Sequence, residues 1–106
     1  MEQRWSERRQ LEVDCDIYRM GGAPLRGISR DICLGGMWVE TGPEHRLPKN
    51  AVVDVVLLAD ETEAGGDIHV RAMVVRNEDT GSALMFHDVD VGAFRRLQNL
   101  LLKTGA

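Results

Sequence analysis

Residues 82–101 read SALMFHDVDVGAFRRLQNLL, and the spacing of apolar residues changes inside this stretch. SALMFHDV, residues 82–89, has the length and bounding turn signals of a buried strand. Beyond it, Phe94, Leu97 and Leu101, with Val91 before them, recur at the spacing of one helix face. Asp88 or Asp90 supplies the N-cap, and Lys103 suits the negative end of the helix dipole. A strand followed by one closing helix, over about residues 88–104, is therefore expected.

Working outward, the same two-residue period governs what comes before. LEVDCDIY (11–18) places Leu11, Val13, Cys15 and Ile17 on one face, and Gly21-Gly22 with Pro24 reads as a hairpin turn. LRGISRDI (25–32), MWVET (37–41), AVVDVVLL (51–58) and DIHVRAMVVRNE (67–78) follow as strands. Between them, TGPEHRLPKN reads as a crossing loop and ADETEAGGD as an acidic one. Six strands at hairpin spacing and one helix predict a mainly β fold, a small six-stranded antiparallel barrel with a C-terminal α-helix.

Composition narrows the function. A chain of 106 residues holds one modest core. The apolar run AVVDVVLLA is short and contains Asp54, so no membrane insertion is expected, and the polar start MEQRWSERR lacks a signal peptide's apolar centre. A cytoplasmic location follows as the expectation. The net charge of −4 argues against a nucleic-acid polymer as partner, because such affinity rests on summed positive charge. Eleven of the thirteen basic residues are arginine, the side chain suited to bidentate recognition of phosphate or a guanine edge. Cys15 and Cys33 form no metal-ligand pattern and read as reduced, core-like residues, while His45, His69 and His87 are scattered. With no nucleophile beside a base and no convergent carboxylates, the chain does not read as an enzyme, and no cofactor or metal is expected.

Two arginine pairs at four-residue spacing occur, Arg4/Arg8 and Arg26/Arg30. The second lies on one face of a strand and is expected to be solvated. DICLGG, residues 31–36, reads as a tight turn whose glycines supply positive φ or let a ligand reach the backbone. Asp31 there can accept from the N1–H and N2–H₂ donors of a guanine.

Together and in this order, Arg4-Trp5-Ser6-Glu7-Arg8 and Asp31-Ile32-Cys33-Leu34-Gly35-Gly36 resemble the PilZ domain family, whose signature is RxxxR followed by D/N-x-S-x-x-G. The likeness extends through MWVET and SALMFHDVD to the terminal helix. It implies a PilZ-type barrel over residues 11–106, an N-terminal arm over 1–10 carrying RxxxR, and a receptor for cyclic di-GMP as its only small-molecule ligand. Arg4 and Arg8 would clamp phosphate or the O6/N7 edge of guanine, and Asp31 would read the opposite edge. Cys33, Gly35 and Gly36 complete the motif. Arg9 either reaches a second phosphate or points to water. Arg76, at the end of AMVVR, either stacks on a base or is an exposed strand-end charge. Trp38 is expected in the core, whereas Trp5 has no core to join and docks on the barrel when the arm closes.

The match departs at Cys33, where the family usually has serine. A thiol is the weaker hydrogen-bonding group, and losing one ordinary bond of about 0.5–1.5 kcal/mol weakens affinity about two- to tenfold. Gln3, flanking RxxxR, leaves one or two messengers per chain open. Output is expected to pass to an unidentified protein partner in trans. The alternative is a PilZ-like interaction module that binds no nucleotide; a single-strand nucleic-acid barrel is disfavoured by the 5% aromatic content.

Overall fold

The computed structural model describes residues 9–42, 47–59 and 65–104. Seven strands and one helix occur in these segments: β1 (Arg9–Gln10), β2 (Asp14–Tyr18), β3 (Leu25–Cys33), β4 (Gly36–Glu40), β5 (Val52–Leu57), β6 (Ile68–Asn77), β7 (Gly81–His87) and α1 (Val91–Thr104). The six longer strands pair antiparallel in the order β3-β2-β5-β6-β7-β4, and β4 returns to β3, closing a ring. No described helix is long and apolar enough to cross a membrane.

Alternation fixes what enters the barrel. Cys15 and Ile17 on β2, Val53, Val55 and Leu57 on β5, and Ile68, Val70, Ala72 and Val74 on β6 all point inward and are buried. Leu97 and Leu100 of α1 join this same core, and the Arg96 guanidinium donates to the Asp67 carbonyl at 3.0 Å, tying the helix to the start of β6. At the opposite end, near the finish of β6, Leu47 is buried and its carbonyl accepts from Asn77 Nδ2 at 2.7 Å.

The expected first strand, 11–18, is broken. β2 starts at Asp14, and Arg9–Gln10 resumes the pairing further along β3, with Arg9 opposite Ile32 and Gln10 opposite Asp31. Ser29, fully buried on β3, bridges the gap. Its hydroxyl donates to the Leu11 carbonyl at 2.6 Å and accepts from the Val13 amide at 2.9 Å. A buried amide without a partner costs about 1–3 kcal/mol, so this hydroxyl stands in for a missing ladder bond. Residues 9 and 10, assigned by sequence to the arm, are thus strand.

Two β-bulges interrupt the period. Pairing with β4 skips Arg30, and pairing with β7 skips Val75. Each extra residue makes two successive side chains face outward: Arg30 with Asp31, and Val75 with Arg76.

Candidate functional site

The bulges assemble a row of outward residues across four strands. Asp31 of β3 lies opposite Trp38 of β4, Trp38 opposite Ala83 of β7, and Ala83 opposite Arg76 of β6. Beneath them, Ile32, Met37, Leu84 and Val74 form the matching inward row, each buried. Strands spaced 4.7–4.9 Å apart put the ends of the outer row about 14 Å from each other. Asp31 is half-buried, with its Oδ1 shielded from solvent. Arg76 is 65% exposed and pairs with Glu78 at 3.0 Å. Such a pair is worth little and exchanges readily for a better anion.

The motif turn sits at one side of this row. Cys33 ends β3 half-buried, opposite Gly36, and Leu34 and Gly35 make the turn. Neither glycine takes the positive φ expected of such a turn, which among the described glycines occurs at Gly21, Gly42, Gly65 and Gly66. Gly36 is glycine because a Cβ there would lie 2.4 Å from the Leu84 carbonyl of β7. The Gly35 carbonyl accepts from the Phe86 amide at 2.9 Å. Both glycines therefore join β4 to β7.

Arg9 opens β1 at the register of Ile32, and Gln10 pairs at the register of Asp31. Arg4 and Arg8 lie outside the described residues. The other arginine pair is solvated, as expected, and its charge is already matched. Arg26 holds Asp16 at 2.7 Å, and Arg30 bridges Glu40 (2.5 Å) and Glu12. The hydrogen bond to Glu40, the charge of Glu40 and that of Glu12 hold the Arg30 guanidinium even more firmly protonated than usual.

Trp38 is the residue the sequence reading misplaced. It is half-buried and outward, between Met37 and Val39, which are fully buried. The alternation within GMWVE carried that signal, because neighbours in a strand point to opposite faces.

A cleft of about 610 Å³ lies across the ring, between β2, β5 and β6, lined by Tyr18, Asp54, His69, Arg71, Asp88 and Asp90. Three carboxylates there repel phosphate, and none of the described motif residues borders it. The outer row, not the cleft, is the candidate site.

The sequence matches the PilZ domain over residues 2–103. The chain belongs to the PilZ domain family. Solved structures agree in fold. The inhibitor of motility MotI/DgrA from Bacillus subtilis superposes with a TM-score of 0.80 at 17% identity, covering 99% of this chain and 52% of that one. The PilZ domain of YcgR from Escherichia coli, solved with c-di-GMP, gives 0.78 at 17% identity over 98% and 92%. The PilZ domain of CeSA from a cellulose-synthesizing bacterium gives 0.75 at 14% identity over 94% and 99%. This PilZ domain therefore spans about half the length of the Bacillus protein. No curated protein sequence matches it significantly.

Proposed function

We propose that this PilZ domain is a non-enzymatic receptor for cyclic di-GMP, which it binds across the outer row and relays to a protein partner. One observation carries the reading: β1, which follows RxxxR directly in the sequence, pairs with β3 at Ile32 and Asp31. Arg8 is covalently next to Arg9, with Cα atoms about 3.8 Å apart. In this reading Arg4 and Arg8 bind the phosphates of a ligand whose guanine is held by Asp31. Asp31 accepts from the guanine N1–H and N2–H₂ donors, a pair that adenine does not offer. The arginines contribute charge-assisted bonds of about 1.5–3 kcal/mol each. The Escherichia coli neighbour solved with c-di-GMP supports the same ligand class.

Calorimetric titration with cyclic di-GMP tests this. The native chain is expected to bind at micromolar concentration or below, and Arg8→Ala and Asp31→Ala each to weaken binding at least tenfold, the effect of about 1.4 kcal/mol or more. No heat and no thermal stabilisation of the native chain by messenger would leave a partner-only interaction module instead.

A further inference from the structure

Trp38 stands in the middle of the outer row, between the motif acid and Arg76. It takes no part in the hydrophobic core, which Met37 and Val39 enter from the same strand. Its indole is not projecting into solvent either. A Cβ built on Gly81 would lie 2.9 Å from Trp38 Cζ2, and Gly81 is opposite Glu40, two residues further along β4. The ring therefore extends along the sheet and rests against the β7 backbone at a residue with no side chain. Part of the indole is thus covered by protein, and half-burial of the residue leaves the rest of its surface open.

We propose that Trp38 is the platform on which a guanine of the bound messenger stacks, an inference that rests on the receptor reading above. Asp31 and Trp38 are direct cross-strand neighbours, whose Cβ atoms lie about 4.5–5.5 Å apart. A purine whose donor edge is held by the carboxylate extends over the adjacent strand, where the indole offers it a π-face. The two side chains divide the work. Stacking is indifferent to which base it holds, so Trp38 supplies affinity. The carboxylate accepts only from a base with the right donor pair, so Asp31 supplies the choice. Ala83, the next residue in the row, is small and leaves the space between Trp38 and Arg76 open.

The chain has two tryptophans, so Trp5→Phe makes Trp38 the sole indole reporter. In that full-length variant, cyclic di-GMP is expected to quench Trp38 emission saturably, with the midpoint that calorimetry gives on the same protein. Trp38→Leu is expected to lose roughly tenfold or more of the affinity, and Trp38→Phe to recover most of it. If Trp38 instead serves only to cover Gly81, Trp38→Leu lowers the melting temperature without ligand but keeps its affinity within twofold. Heat of binding with unchanged Trp38 emission and that unaltered affinity overturns the platform and leaves the receptor reading intact. Absence of heat in the native chain as well overturns both.

Discussion

Gly36 belongs to the motif, yet the atom nearest its absent side chain is a backbone oxygen of β7. Gly36→Ala must therefore part β4 from β7, at a cost of about 1–3 kcal/mol, and the urea midpoint is expected to fall with no ligand present. An unchanged midpoint would mean that the glycine serves only a ligand. The family was readable at this scale, because Asp31, Cys33 and the glycines are recognisable by type and order. Their mechanical duties were not. The contact between Gly36 and Leu84 joins residues far apart in the chain, and Ser29 looked like any polar strand residue although it holds together two segments of backbone. Trp38 was readable in principle, since its two neighbours define the inward face.

Among the elements, the helix followed its sequence closely except at Val91, which precedes the buried face of Ala93, Leu97, Leu100 and Leu101 and is exposed. The N-cap choice between two aspartates resolves to Asp90, whose Oδ1 accepts from the Ala93 amide at 2.7 Å. Asp88 instead has φ of 54°, a conformation glycine adopts more easily. Asp90→Ala is expected to lower stability by about 0.5–2 kcal/mol, and Asp88→Gly to leave it unchanged or slightly higher, as chemical denaturation would measure. Equal losses in both would refute this assignment of the cap. Strand interiors were equally legible from their alternation, and strand irregularities were not. A bulge adds one residue without marking it by type, so neither Arg30 nor Val75 announced itself, and the break at residues 11–13 was hidden under a continuing apolar pattern.

For the molecule as a whole, hairpin spacing foretold which consecutive strands pair, and the count of six in the ring was available. The pairings that close the ring, β2 with β5 and β4 with β7, join strands separated by long stretches, and no local signal encodes them. Cys15 sits at one of these seams, opposite both Gly27 and Leu57. Burial, with the negative charges of Asp16 and Asp14, pushes its thiol from 9.0 up to about 12. Between those values the folded chain keeps a proton that the unfolded chain releases. Global stability due to this group is thus fully present below pH 9.0 and lost as pH rises toward 12. The native protein is expected to lose up to about 1.4 kcal/mol per pH unit more than Cys15→Ala across that window, in denaturation curves taken at successive pH values. Identical slopes would show that the thiol is not coupled to unfolding.

A ring of strands has no first or last member. At the edge of this ring lies β1, whose two residues pair with β3 alone. Closure in this way limits edge-to-edge strand addition, the ordinary hazard of β proteins. It also follows that a macromolecule docking on the closed part of the ring, away from β1, finds the ladder of amides largely occupied and has to read the surface by side chains.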